Sequence, residues 1–182
     1  MSRGFTIYCT TCAYLHDIGK QFIPPSVLQK PTKLTNEEYE IMKTHTTIGY
    51  KMCMNDLKLR PYAAGPLYHH ESLDGTGYPN NVPGNKIPYE AQIIRVEDEF
   101  EAITAKRQYK SHIGIIDALN ILINNAHPTP PKSLKDGISK MKYAGVGKID
   151  KKILKALFKV VIDDTEYEIV ARTDYLKFLK GE

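Results

Sequence analysis

The chain has 182 residues, a net charge of +4 and an isoelectric point near 8.8, and its apolar and charged fractions are ordinary for a soluble globular protein. The lysines are scattered and form no dense basic stripe, which argues against a protein that binds a nucleic-acid polymer. Three cysteines, an odd number, argue against a secreted protein held by disulfides. No apolar run is long enough to span a membrane. We therefore expect a cytoplasmic protein of one domain, or the cytoplasmic part of a larger protein.

Two helices are predicted in the first fifty residues. Apolar residues at close to helical spacing predict a helix over Phe5–Asp17, with Gly19 as its stop signal. Thr35 and Glu38 then form a capping-box pattern, which predicts that a second helix begins there and runs to about Thr47.

The middle of the chain is predicted as helix, loop and helix. A third helix should lead through Tyr62 to Glu71. The stretch Ser72–Pro88 is rich in Gly, Pro, Asn and Asp, which predicts a long loop. Tyr89–Thr104 has the period of a fourth helix.

The C-terminal third is also predicted to be mainly helical. Helical periods cover Ile113–Ile123 and Ile149–Ile162, separated by an irregular insertion over 125–147. Glu166–Ala171 could form a short strand. We expect an all-α fold with one domain over 1–162 and a C-terminal extension over 163–182.

Histidine and aspartate residues recur on or at the ends of the predicted helices, where rigid elements could aim them at one point. Neighbouring side chains on a helix diverge by about 100°, so an adjacent pair can reach one ion only where the backbone turns at a helix end. Imidazoles and carboxylates without thiolates favour iron, manganese or zinc in an open catalytic site. Six ligands suit two ions that share a carboxylate and activate water for phosphoester hydrolysis. The candidates are His16, Asp17, His45, His69, His70 and Asp98.

Two sequence motifs carry a family resemblance. The stretch from His16 to Lys20 reads HDIGK and resembles the signature of HD-domain phosphohydrolases. The stretch from His69 to Pro79 reads HHESLDGTGYP and resembles the defining motif of the HD-GYP subfamily. The likeness covers roughly residues 8–109. It implies a cyclic di-GMP phosphodiesterase, built as an HD-domain helical bundle with a long GYP loop and an irregular C-terminal insertion.

The resemblance also implies roles for individual side chains. The six candidates above would be metal ligands for two divalent ions, iron or manganese, with Asp17 bridging them. Lys20 would contact the scissile phosphate or the attacking water. Product would be linear pGpG and possibly GMP. The residues implied to bind substrate are Gly77, Tyr78 and Pro79 in the GYP loop, with Arg107 and Lys110 on phosphate.

Two departures from the family leave alternatives open. The family carries a further metal-binding helix upstream of its His-Asp pair, whereas the 15 residues before His16 include no His, Asp or Glu. We therefore expect an N-terminally incomplete domain or a site that is one ligand short. The second departure is Glu101, which stands where the family usually has an Asp. The alternative is a catalytically impaired module that binds nucleotide or a signalling partner, such as a cyclase or sensor domain. A third possibility is another cyclic dinucleotide or a nucleotide phosphoester as substrate.

Two other patterns receive structural interpretations. Asp74 is expected to brace the loop of the second motif without contacting metal. Cys9 and Cys12 fall on one helix face and are expected to pack there, not to bind zinc.

Overall fold

The computed structural model describes residues 1–105, 114–126 and 147–163, and these contain α-helices, 3₁₀ turns and loops with no strand. The predicted all-α class is confirmed for these residues. None of the helices described is long and apolar enough to cross a membrane. The helices are α1 Arg3–Leu15, α2 Pro25–Leu28, α3 Asn36–Lys43, α4 His45–Asn55, α5 Ala64–Tyr68, α6 Tyr89–Thr104, α7 Ile115–Ala126 and α8 Lys151–Asp163, with 3₁₀ turns at Ile18–Phe22, Arg60–Tyr62 and Gly84–Lys86.

Helix α1 ends two residues before the predicted limit. Its first turn is capped by Ser2, whose hydroxyl oxygen accepts a hydrogen bond from the Phe5 amide at 3.2 Å. At the other end Asp17 leaves the helical region, with φ −102° and ψ 8°, and the chain continues as the 3₁₀ turn Ile18–Phe22. This turn redirects the chain at the His-Asp pair, as the argument from helix ends requires.

Gly19 allows that turn to lie directly against α4. A Cβ atom on Gly19 would lie 2.0 Å from the His45 carbonyl oxygen and 2.7 Å from the Gly49 amide nitrogen. Both are backbone atoms, which cannot move aside as a flexible side chain could. The close approach therefore needs glycine, and it sets the distance between Asp17 and His45.

The capping box of α3 is confirmed, but the helix predicted to run to Thr47 is two helices. The Thr35 hydroxyl accepts from the Glu38 amide at 3.3 Å, and the Glu38 carboxylate accepts from the Thr35 amide at 2.7 Å. Helix α3 stops at Lys43 because the Thr44 amide and hydroxyl both donate to the Ile41 carbonyl, which tightens the last turn. A new helix, α4, begins at the next residue.

The centre of the chain follows the predicted order with one shorter helix. In place of one helix from Tyr62 to Glu71, the structure has a 3₁₀ turn and then α5, which ends at Tyr68. The loop over 72–88 contains only one 3₁₀ turn, and α6 has the bounds that its period predicted. The Tyr8 hydroxyl donates to the Glu90 carboxylate at 2.9 Å and ties α1 to the start of α6.

A hydrophobic cluster, called here the apolar cluster, lies between α6, α7 and α8. Leu154 and Phe158 are buried in it and Leu157 packs against it, as the period of the last helix predicted. Helix α8 begins at Lys151, because the Asp150 carboxylate accepts from the amides of residues 152 and 153 and caps it. The apolar cluster consists of Val96, Leu119, Leu122, Ala126, Ile149, Ile153, Leu154 and Phe158.

Four predictions fall wholly or partly on residues outside the described ranges. They are the first residue of the helix predicted over Ile113–Ile123, most of the insertion predicted over 125–147, the strand predicted over Glu166–Ala171, and the C-terminal extension predicted over 163–182, which is described only at residue 163.

Candidate metal centre

Four separate chain segments bring the six predicted ligands together. His16 is the C-cap of α1, and Asp17 follows it. His45 is the first residue of α4, His69 is the C-cap of α5 with His70 next to it, and Asp98 lies within α6. Both adjacent pairs therefore stand at helix ends. We call this set the ligand cluster.

Five of the six residues of the ligand cluster form two groups that share one histidine. One ligand atom from each of His45, His69 and His70 lies within 4.8 Å of the others. The same holds for His16, Asp17 and His69. Among the residues that the structure describes, these are the two groups with the ligand types and separations that a metal ion needs.

Backbone carbonyls fix which ring nitrogen of three histidines is free to bind an ion. The Nδ1 atom lies 2.5 Å from the Ala13 carbonyl in His16, 2.7 Å from the Met42 carbonyl in His45, and 3.0 Å from the Gly65 and Pro66 carbonyls in His69. A carbonyl oxygen only accepts, so each Nδ1 must carry the proton. In a neutral ring the Nε2 lone pair is then free for a ligand.

Those lone pairs converge on the carboxylate of Asp17. Its Oδ1 atom lies 3.4 Å from His45 Nε2 and 3.7 Å from His69 Nε2, and the two nitrogens are 3.2 Å apart. With both Nδ1 atoms protonated, none of these three atoms has a proton to offer the others. Asp17 Oδ1 is accordingly buried without a hydrogen-bond partner. An orphaned carboxylate oxygen among imidazole lone pairs fits a divalent metal ion.

The two carboxylates each face both groups. Asp17 Oδ2 lies 3.2 Å from His16 Nε2, whereas Oδ1 faces His45 and His69. Asp98 Oδ1 lies 3.8 Å from His16 Nε2, and its Oδ2 lies 3.9 Å from His70 Nδ1. The arrangement is what two neighbouring cations with shared carboxylates would need.

Burial and hydrogen bonding to carboxylates set the charge of the four histidines in the ligand cluster. It lowers the pKa of His45, His69 and His70, so these imidazoles are neutral at pH 7 and available as ligands. Burial would also lower the pKa of His16, but hydrogen bonds with Asp17 and Asp98 outweigh it and raise that pKa to about 10. Without an ion, a proton on His16 balances the carboxylates.

Lys20 lies beside the ligand cluster, as the resemblance implied. Its Nζ atom is 2.5 Å from Asp17 Oδ2, in a pair that is partly open to solvent. Burial would raise the pKa of Asp17, but hydrogen bonds with His16 and Lys20 hold it well below its usual range. Asp17 is therefore ionised, and Lys20 supplies a positive charge at the pocket side of the cluster.

The loop after His70 is folded back onto that histidine. Tyr78 stacks on the His70 ring, with centroids 4.7 Å apart and planes at 24°, and its amide donates to the His70 carbonyl at 3.1 Å. The buried Glu71 carboxylate accepts from the amides of Asn80 at 2.6 Å and Val82 at 3.2 Å. These bonds hold the loop so that Tyr78 stays against His70 of the ligand cluster.

Two further residues shape the same loop. A Cβ atom on Gly77 would lie 2.2 Å from the Ser72 amide nitrogen, so the fold back requires glycine. Asp74 accepts hydrogen bonds from the Thr76 amide at 3.0 Å and the Thr76 hydroxyl at 2.6 Å. Asp74 thus braces a turn, as expected from the sequence. Cys12 is buried and Cys9 half-buried, consistent with packing.

A pocket of about 770 Å³ extends from the ligand cluster to the start of α3. His45, His70 and Asp98 line one end, and Tyr39 and residues 32–36 line the other. The volume is within the range of sites that enclose small ligands. Five cationic side chains of the described residues line it, which favours an anionic ligand. They are Lys20, Lys30, Lys33, Arg95 and Lys148.

Part of this lining was not predicted from the sequence. Tyr39 and Arg95 received no role, because a single tyrosine or arginine on a helix carries no motif of its own. The spacing of Arg95, one turn before Asp98, was the available signal. Arg107 and Lys110, predicted to bind phosphate, lie outside the described residues.

Comparison with known proteins gives a consistent result. A family model described as HD domain matches residues 3–128. A cyclic di-GMP phosphodiesterase of Thermotoga maritima is 44% identical over 113 residues, which is 61% of this chain and 31% of that protein. The cyclic di-GMP phosphodiesterase response regulator RpfG of Xanthomonas campestris is 46% identical over 100 residues, 54% of this chain and 26% of that protein.

A third relative is named for a different substrate. The 3'3'-cGAMP-specific phosphodiesterase 2 of Vibrio cholerae is 41% identical over 98 residues, covering 53% of this chain and 19% of that protein. The chain thus spans less than a third of the length of each of these relatives.

Proposed function

The chain belongs to the HD-domain family with the motifs of its HD-GYP branch, and on that premise we propose that it hydrolyses cyclic di-GMP at a divalent metal centre. One observation supports this more than any other. The free Nε2 lone pairs of His45 and His69 face Asp17 Oδ1, which is buried without a proton donor. Such an arrangement costs free energy unless a cation is bound there.

We propose that the ligand cluster holds two divalent ions, iron or manganese, with Asp17 placed between them. Asp17 directs one oxygen toward His45 and His69 and the other toward His16. Asp98 likewise directs one oxygen toward His16 and the other toward His70. When bound, a metal pair lowers the pKa of a water molecule and neutralises charge on a phosphoryl oxygen.

The protein's own residues bind and orient the substrate. Lys20 lies at the pocket edge of the ligand cluster, where its ammonium group can neutralise a non-bridging oxygen of the scissile phosphate. Gly77 and Tyr78 line the pocket, and together with Pro79 they are proposed to bind the substrate; Tyr78 stays neutral because burial raises its pKa. Arg107 and Lys110 are proposed to bind the second phosphate, where the fork of arginine suits two oxygens.

The substrate and products are inferred by class. A cyclic dinucleotide carries two phosphodiesters, which suits the net positive lining of the pocket. Cleavage of one diester gives linear pGpG, and cleavage of the second gives GMP. Because one relative is a 3'3'-cGAMP-specific phosphodiesterase, that dinucleotide is the second candidate substrate. Since another relative is a response regulator, a signalling domain, either a sensor or a cyclase, is the proposed partner class.

The test is direct hydrolysis by the purified chain. It is loaded with Fe²⁺ without oxygen or with Mn²⁺, incubated separately with cyclic di-GMP and 3'3'-cGAMP, and the products are separated by chromatography. We expect linear dinucleotide from cyclic di-GMP, and no product after chelation. A chain that binds metal and nucleotide but cleaves neither substrate would favour the alternative of a catalytically impaired binding module.

A further inference from the structure

Tyr39 provides an aromatic face at the end of the pocket away from the ligand cluster. It lies on α3, lines the pocket, and keeps 47% of its surface exposed. Its ring meets Tyr78 edge to face, with centroids 6.3 Å apart, and Tyr78 in turn stacks on His70. Tyr39 is therefore two ring contacts from the ligand cluster, along one wall of one pocket.

The Tyr39 ring is held in place before any ligand binds. Lys43, one turn later on α3, places its Nζ 5.4 Å from the Tyr39 centroid and 5.7 Å from the Tyr78 centroid. Lys43 is itself paired with Glu40 at 2.6 Å. The capping box fixes the start of α3, and Glu38 of that box also bonds Lys30 at 2.5 Å. A rigid aromatic surface loses little entropy when a ligand stacks on it.

We propose that Tyr39 is a stacking platform for one nucleobase of the substrate, a proposal that rests on the proposed function. A flat, uncharged and half-exposed ring suits a nucleobase better than a phosphate, which the lysines and Arg95 of the pocket serve. With the scissile phosphate at the ligand cluster, a base attached to the same sugar-phosphate ring extends along the wall formed by Tyr78 and Tyr39. Tyr39 then acts on substrate affinity more than on the chemical step.

The ring, and not the hydroxyl group, should carry this role. Tyr39→Phe keeps the aromatic face, whereas Tyr39→Leu keeps an apolar side chain and removes the π surface. Tyr14→Leu is the control, because Tyr14 is 89% exposed on α1 and is not among the residues lining the pocket. Circular dichroism and thermal midpoints establish that all three variants fold.

The experiment measures KM and kcat for cyclic di-GMP with the manganese-loaded chain. Tyr39→Leu should raise KM about 10- to 100-fold with kcat within about threefold, the range expected for one lost base-stacking contact. Tyr39→Phe and Tyr14→Leu should remain within about twofold of the unsubstituted chain. An unchanged KM in Tyr39→Leu overturns the proposal while leaving the proposed function intact.

A calorimetric titration separates failure of the two proposals. If the unsubstituted chain binds cyclic di-GMP without cleaving it, the dissociation constants of the same variants replace KM. Weaker binding by Tyr39→Leu would then support the platform although hydrolysis is refuted. No binding and no cleavage by the unsubstituted chain would refute both.

Discussion

The ligand cluster and the apolar cluster use opposite chemistry, although α6 contributes to both. Asp98 of α6 faces the histidines, whereas Val96 of the same helix is buried against α7 and α8. The apolar cluster gains free energy from removing hydrocarbon from water. The ligand cluster instead buries imidazoles and carboxylate oxygens, which costs free energy in the metal-free chain. We infer that stability is concentrated in one region and activity in the other.

The largest expected effect is a loss of turnover without a loss of folding. Asp17→Ala removes the carboxylate that faces both groups of the ligand cluster, so turnover of cyclic di-GMP should fall by more than about 100-fold, beyond the loss typical of outer-shell residues. Metal content, measured by mass spectrometry, should fall with it. Far-ultraviolet circular dichroism should stay unchanged, because the apolar cluster is intact. Full activity in this folded variant would contradict the proposed centre.

The next prediction is a loss of stability without a loss of turnover. Leu122→Ala empties a fully buried position of the apolar cluster and should cost about 2–5 kcal/mol of unfolding free energy. The neighbouring Ile121 is 37% exposed, so Ile121→Ala on the same helix should cost much less. Urea unfolding gives both values. At a temperature where Leu122→Ala is folded, its kcat should be near that of the unsubstituted chain, and a large drop in kcat would show that the regions are not separable.

The smallest expected effect tests the border of the ligand cluster. Glu71→Gln replaces one of two carboxylate oxygens that accept amides of the loop, at a cost of about 1–3 kcal/mol for a buried group left without its partner. Because Tyr78 loses its support, KM should rise more than kcat falls. Glu37→Gln, on the exposed first turn of α3, is the matched control. Equal effects in the two variants would assign Glu71 no role in positioning the loop.

The sequence predicted the helices with the clearest end signals and misplaced those without them. Helix α6 follows a proline and a loop rich in breakers, and its bounds were predicted correctly. The capping box placed the start of α3, but nothing in the composition near Thr44 marks the break before α4. That break depends on one hydroxyl and amide bonding back to Ile41, a local geometry that periodicity does not report.

The sequence predicted that the six side chains of the ligand cluster converge, but not how each of them is oriented. His16 and His69 lie at helix ends, as predicted from the divergence of neighbouring side chains within a helix. Which oxygen of Asp17 faces which histidine depends on how α1, α4 and α5 dock, and so on contacts such as that of Gly19 with α4. Tyr39 enters the pocket only through that docking, which explains why no sequence pattern identified it.

The Nδ1 bonds of His16, His45 and His69 share a local rule. Each ring bonds a carbonyl three residues earlier in its own chain segment, at Ala13, Met42 and Pro66. In each segment this local bond fixes the proton on Nδ1 and leaves Nε2 as the ring atom that can bind a metal ion. The choice of ring atom therefore does not depend on contacts with the rest of the molecule. To transfer the centre to another helical scaffold, a designer would need only to place the short segments correctly as rigid bodies. Each segment would keep the orientation and the Nδ1 proton of its own histidine ring.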